Sequence, residues 1–438
     1  MKKPILLSLF ISFCSLALAN NMLVQNVTTT GNNAGVQTIQ VQFDISWDNS
    51  WRDAINWDAA WIFMKFKDAN GLWQHCKLNQ TGFTNGSGTA NTVQVTSDKV
   101  GSWLYRSAQG AGTFNTTGMQ LQWNYGLSGL TDVTGLEVRV FAVEMVYVPE
   151  GEFNVAKNFY YDGAYFFNGS INAPGSNFPV INTKLSPTLT YSDGTSDSIR
   201  IKGDAGIDTN NDGVIDNTTY PIGYRAFYCY KYELTEQQYA DFLNTLTPAQ
   251  VSTLGIAGSS ITLSVGQYFS STPNRVCGNS NAIRLFAIAD WAGLRPMSLL
   301  EMNKASYGPL QPVAGFFSFP DLGYPAWGSE NGPGLPINNS NGNQILQDVG
   351  YNGNVSSTRS SSGSSYYGIM DLTWNVREPV IRLSDYFFNS TNGNGVLTVQ
   401  GLNDISSWQE GSLLNWEQAE NFNFNEEFNG FRYVRSAE

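Results

Sequence analysis

Along the first third of the chain, apolar and polar residues alternate in short runs. Ile39, Val41, Phe43 and Ile45 are interleaved with Gln40, Gln42, Asp44 and Ser46, the two-residue period of a strand with one face in a core and the other in water. The same pattern recurs at Trp57, Ala59, Trp61 and Phe63, at Met119, Leu121 and Trp123, and at Val138, Val140 and Ala142. Turn-forming stretches such as Asn85-Gly86-Ser87-Gly88 separate these runs, and helical spacing is not evident among them. The pattern predicts an all-β sandwich of antiparallel strands over residues 20–145. Its tryptophans could stack on sugar rings along an open face, but being in phase with the apolar alternation favours a place in the core.

Past residue 230 the period lengthens. Thr235-Glu236-Gln237-Gln238 has the form of a capping box, and Tyr239, Phe242, Leu243 and Leu246 follow at helical spacing. Thr247-Pro248 starts a further helical turn. Asn281 to Ala292 reads as a helix that can bury Ile283, Phe286, Ala287 and Trp291 and stops at Gly293. Ser298-Leu299-Leu300-Glu301 begins another, with Glu301 read as its cap. Residues 154–226, and much of the chain after Trp327, are rich in Gly, Ser, Asn and Thr and read as surface loops. The expectation is a second, α+β domain over residues 146–438, entered near Val148 with hardly a linker.

Two loops concentrate oxygen ligands. Asp208, Asn210, Asp212 and Asp216 stand at the first, third, fifth and ninth positions of a run. Gly213 permits the tight turn and Val214 offers a backbone carbonyl, the spacing of a calcium loop. Thr219 occupies the twelfth position, where an EF-hand would place a bidentate Glu, so a short extracellular type of calcium loop is the closer match. The second loop, Tyr366-Tyr367-Gly368-Ile369-Met370-Asp371-Leu372-Thr373-Trp374-Asn375-Val376-Arg377-Glu378, mixes core anchors with Asp371, Asn375 and Glu378.

That second stretch resembles the GLYDMxGNVWEW signature of the formylglycine-generating enzyme family, the sulfatase-modifying factors. Further blocks follow the family's order: Met145 to Phe153, Tyr232-Glu233-Leu234-Thr235, Leu294-Arg295-Pro296 through Glu301, and the closing Gly430-Phe431-Arg432. The resemblance implies a variant of the C-type lectin fold for residues 146–438, with Asn375 and Glu378 at positions that help hold a structural Ca²⁺. The family's oxidases convert a sulfatase cysteine to formylglycine with copper bound by a cysteine pair near the C-terminus. No cysteine follows Glu378 here, the family's RGGSW block is not recognisable, and Trp374 and Arg377 replace the family's Gly and Trp. The resemblance therefore implies the fold without the copper oxidase.

Composition narrows the choice. With 42% hydrophobic and 13% aromatic residues, the chain can bury substantial cores. A net charge of −12, more negative once Lys2 and Lys3 leave with a signal peptide, argues against nucleic acid and anionic membrane surfaces as partners. Met1-Lys2-Lys3, the apolar run Ile5 to Leu16 and Ala17-Leu18-Ala19 read as a signal peptide over residues 1–19. Lipidation at Cys14 is disfavoured by the bulky Phe13, and no later segment has the length and apolarity of a transmembrane helix. Cys76, Cys229 and Cys277 remain, an odd number that permits at most one internal disulfide, with Cys229–Cys277 the candidate pair. His75 alone supplies imidazole and reads as a surface strand residue, which excludes a histidine-based triad or zinc site in the second domain.

These observations predict an exported bacterial protein that binds a glycan or protein ligand rather than catalysing a reaction. Segments 329–365 and 385–428 are long, polar and studded with aromatics, and Tyr386, Phe387, Trp408 and Trp416 are the candidate contacts. Trp408 and Trp416 fit a core equally well. The competing expectations are a formylglycine-type oxidase built on Cys229 and Cys277, and a structural subunit of a cell-envelope machine.

Overall fold

The computed structural model describes residues 21–154, 217, 219–310, 346–350, 362, 364–372, 375–381, 388–408 and 429–438, with the backbone of short strands at 165–166, 179–181, 190–191, 201–202 and 414–417. The fold is β-rich. Strands β1 (Leu23–Asn33), β2 (Thr38–Arg52), β3 (Asp58–Lys67), β4 (Trp73–His75), β5 (Ser87–Gly88), β6 (Asn91–Val95), β7 (Ser102–Arg106), β8 (Gly110–Asn124) and β9 (Glu137–Val148) occupy the region where alternation predicts them.

One sheet has the order β1-β2-β8-β5. β2 and β8 pair from Thr38↔Asn124 to Arg52↔Gly110, with register shifts between Phe43 and Ile45 and between Trp47 and Ser50. The first shift keeps Phe43, Ile45 and Trp47 all on the buried face although the opposite strand changes step. Facing it across a core of Val41, Phe43, Leu121, Trp123, Ile62 and Met64 lies part of a larger sheet.

With β15 (Phe227–Tyr230), β18 (Arg295–Pro296) and β21 (Tyr433–Ser436), that larger sheet runs β18-β21-β15-β9-β3-β7-β6, and β4 also pairs with β3. β9 pairs with β3 up to Val146 and with β15 from Met145 to Val148. The boundary expected near residue 145 thus falls inside a strand, and one hydrogen-bonded sheet crosses it.

β3 explains how. Ala60, Ile62, Met64 and Phe66 fill the sandwich interior, while Ala59, Trp61 and Phe63 enter a second core with the helices. A strand buried on both faces reads as a near-continuous apolar run, which is what Ala59 to Met64 is. Trp61 Nε1 donates to the Ala292 carbonyl at 2.8 Å, Trp103 stacks on Tyr228 at 3.6 Å between centroids, and Phe63 meets the edge of Trp291 at 4.9 Å.

Four helices complete this second core among the described residues. Helix α1 (Glu236–Leu243) is closed by the Thr235–Gln238 capping box, α2 (Pro248–Leu254) by Thr247 and Gln250, and α4 (Leu299–Tyr307) by Ser298 and Glu301. Helix α3 (Ala282–Trp291) is capped by Asn281 and buries every residue from Leu285 to Trp291. Ile283, expected inside, is 37% exposed because the helix is covered only along its later turns. Gly293 ends it with φ +69°, and a Cβ there would sit 2.3 Å from Val100 Cγ1, so only glycine lets the helix end approach the sandwich this closely.

Shorter elements fill out the periphery. β10 (Phe153–Asn154), β12 (Pro179–Ile181) and β13 (Thr190–Tyr191) form one small sheet, β11 (Tyr165–Phe166) pairs with β14 (Ile201–Lys202), and β16 (Ile261–Ser264) makes a hairpin with β17 (Gln267–Ser270). β19 (Glu378–Ile381) pairs with β20 (Leu414–Glu417). No helix of the described residues is long and apolar enough to cross a membrane.

Trp61 is the test of this coupling. Trp61→Ala should cost about 3–5 kcal/mol in urea denaturation, and far-UV circular dichroism and near-UV aromatic signals should still unfold at one midpoint. Two separated midpoints would show that the halves on either side of β9 fold independently.

Candidate functional site

The described parts of the 366–378 stretch are tied to backbone beside the large sheet: Met370 N donates to the Lys231 carbonyl and Gly430 N to the Arg377 carbonyl. Asp371 and Asn375 adopt φ of +65° and +71°, a region that Asn and Asp enter more readily than most side chains. The turn points both side chains inward, where they are buried. Asn375 Nδ2 donates to Glu233 Oε2 at 2.9 Å, and its Oδ1 accepts from Gln347 N at 3.0 Å. Asp371 Oδ2 accepts from Gly350 N at 2.5 Å.

Arg432 holds the base of the loop. Its Nε donates to Glu378 Oε1 at 2.7 Å, Nη2 to the Met370 carbonyl at 2.9 Å, and Nη1 to the Tyr230 carbonyl at 2.9 Å. The 370–378 loop and the end of β15 at Tyr230, far apart in sequence, are thereby tied to one guanidinium, a geometry suited to its planar fork of donors. Glu301, read as a cap, accepts from Ser298 N and also forms a two-pronged pair with Arg295 at 2.5 and 2.7 Å.

Acid outnumbers base around this loop. Burial pushes the Glu233 carboxyl well above its ordinary range, and Asp371 and Glu378 push it the same way. Burial raises Glu378 to about 7 against the pull of Arg432. Glu233 Oε1 and Glu378 Oε2 are buried with no hydrogen-bond partner among the described residues. Oxygen acceptors of this kind suit a proton or a hard cation. Asn375 Oδ1 and Glu378 Oε1 already serve Gln347 and Arg432, so the oxygens left over here are Glu233 Oε1 and Glu378 Oε2.

The remaining candidates separate. Asp208, Asn210, Asp212, Val214 and Asp216 lie outside the described residues, as do Tyr386 and Phe387. Trp416 sits in β20 opposite Pro379. Trp408, named as a contact, is 2% exposed and lies against Phe286 and Phe388, so it fills the core beneath the 388–408 segment.

His75 is a correction. It is buried rather than on the surface: Nε2 lies 2.6 Å from the Val100 carbonyl, and the ring stacks near Phe63. The alternation that places it in a strand cannot reveal that the segment around Gly395 covers that strand. A Cβ on Gly395 would lie 2.1 Å from His75 Nδ1. Burial first, then Lys65 and Lys77, hold the imidazole well below its ordinary value of 6.5.

Cys76, Cys229 and Cys277 are free and buried. Burial lifts Cys229 to about 12 and the other two well above the ordinary thiol range. Neither member of the candidate Cys229–Cys277 pair is a poised thiolate. No family model, curated protein or solved structure matches the chain.

Sequence reasoning passed over Arg432 and Glu233 as members of this site. Both stood inside resemblance blocks, but only the fold shows that they meet the Asn375 loop. Lys231, buried 2.5 Å from Glu144 and 3.9 Å from Asp58, was equally silent.

Arg432→Met should destabilise the protein by about 3–5 kcal/mol, because it leaves Glu378 and several carbonyls buried without their donor. Adding Glu378→Gln should recover part of that loss, and a strictly additive double-mutant cycle in urea would contradict the pairing. The histidine gives a pH test. Its folded-state value is depressed, so below about 6.5 the unfolded chain takes a proton that the native state excludes. Its contribution is fully present above that pH and is lost as pH falls, at up to ~1.4 kcal/mol per unit. Denaturation midpoints between pH 7 and 5 should fall less steeply in His75→Gln, and parallel curves would place His75 in water.

Proposed function

We propose that this is an exported bacterial binding protein in which residues 146–438 form a formylglycine-generating-enzyme-like, C-type-lectin-type domain without oxidase chemistry. Segments 329–365 and 385–428 are its recognition loops for a glycan or protein ligand. Structural Ca²⁺ at the Asp208–Asp216 loop, and at Asn375 and Glu378, belongs to the same reading.

The observation that carries the non-catalytic half is the burial of both second-domain thiols, Cys229 and Cys277. A copper oxidase needs thiolates that a soft ion and substrate can reach, and burial pushes both thiols away from ionisation. Further support is that the resemblance blocks converge. Glu233, Met370, Asn375, Glu378 and Arg432 form one bonded group, and Arg295 with Glu301 forms another beside the closing strand. The binding half rests on the polar, aromatic-bearing composition of the two segments.

The test is a broad glycan array probed with the chain from residue 20 onward, in Ca²⁺ and again in chelator. Selective binding that chelation abolishes is the expected result. Binding unaffected by chelator would remove Ca²⁺ from the reading, and no binding in either condition would contradict sugar recognition and leave a protein ligand.

A further inference from the structure

Where the sandwich meets the helices, a cavity of about 240 Å³ opens between β3–β4, the turn joining α1 to α2, and the 395–399 loop. Leu72, Val396 and Val399 are exposed at its rim. Deeper in are Lys65, Trp73, Gln74, Thr247, Gln250 and Trp291. That volume lies just below the usual range of ligand pockets and suits a molecule no larger than a monosaccharide.

Lys65 is the unusual wall. It stands in phase with Trp61 and Phe63 on the helix-facing side of β3 and is 2% exposed. Its amine carries two N–H donors, and three once protonated, of which one reaches the Gly395 carbonyl at 2.5 Å. The rings of Trp291 and Phe63 lie 5.4 and 5.9 Å away. Asp290 is the acid that acts on it most, yet that carboxylate accepts from the backbone N–H groups of Asn394 and Asp404, at 2.9 Å each. Trp291, 8% exposed, has a buried indole N–H with no partner among the described residues. Two buried side chains that line the cavity thus keep donor capacity that no described residue takes up, an arrangement that costs free energy unless an acceptor arrives.

We infer that this cavity binds a small carboxylate-bearing ligand, its anionic oxygens taken by Lys65 and its apolar edge covered by Leu72, Trp73 and the 396–399 loop. Burial holds the amine at about 7, with Asp290 and Cys76 raising it and Lys77 lowering it, while the neighbouring His75 is held neutral. A carboxylate beside Lys65 restores the ammonium, so binding near pH 8 is accompanied by proton uptake. A neutral sugar offers no such exchange. The inference rests on the binding reading only in that residues 395–399 belong to the 385–428 segment, and free small acids test it whatever the glycan array shows.

The experiment is a titration of the chain from residue 20 onward with pyruvate, glucuronate and N-acetylneuraminate, and with glucose as the neutral control, followed by tryptophan fluorescence and calorimetry at pH 8. At least one acid should bind saturably, at least tenfold more tightly than glucose, with a heat that varies with buffer ionisation enthalpy. Lys65→Met should abolish that binding. Ala249→Trp, a substitution at an exposed lining position, should block it by filling the mouth, and it decides the question where Lys65→Met fails to fold. Absence of saturation with all three acids, glucose binding as tight as the acids, or undiminished binding by either folded variant would overturn the assignment.

Discussion

Burial of β3 on both faces is the constraint to which the rest of the architecture answers. Once Ile62 and Met64 look into the sandwich and Trp61 and Phe63 look the other way, the outer face of the sandwich cannot be left to solvent. Each fully buried large apolar side chain is worth roughly 1.5–3 kcal/mol, and the helices, with Trp291 and the end of α3, supply the cover. The large sheet then has to continue from β9 into β15 and β21, because the cover is built on those strands. Glycine at 293 follows from the same contact.

Long-range charge pairs fasten what the sheet brings together. Arg435 pairs with Asp98 at 2.5 Å and lies over Trp61 at 4.3 Å, joining the last strand to the sandwich. Lys231 does the same toward Glu144, and Arg432 toward Glu378. Removing the carboxylate from such a pair is costly because the cation stays buried without its partner. The scarcity of cations in this acidic chain gives each of these few buried ones a large share of the cross-linking.

Local signals were legible and non-local ones were not. Alternation located the strands, and the capping boxes at Thr235 and Ser298 located two helix starts, because cap and period act within a few residues. The run Ala59 to Met64 already carried the evidence for a two-sided strand, yet its odd positions alone also satisfy a half-buried one. His75 and Trp408 take part of their cover, at Gly395 and Phe286, from segments more than a hundred residues away, which local periodicity does not reach. Of the candidate site, Asn375 and Glu378 were visible as oxygen donors, while their partners Glu233 and Arg432 needed the fold to bring them there.

The central claim is that the fold keeps its thiols as core side chains and offers none of them for chemistry. Thiol titration with an aromatic disulfide reagent, run on the native chain from residue 20 onward and again in guanidinium, tests it most directly. The account predicts negligible native reaction, with Cys76, Cys229 and Cys277 all reacting once the chain unfolds. Rapid native modification of Cys229 and Cys277, suppressed by Cu(I), would contradict it and restore the oxidase.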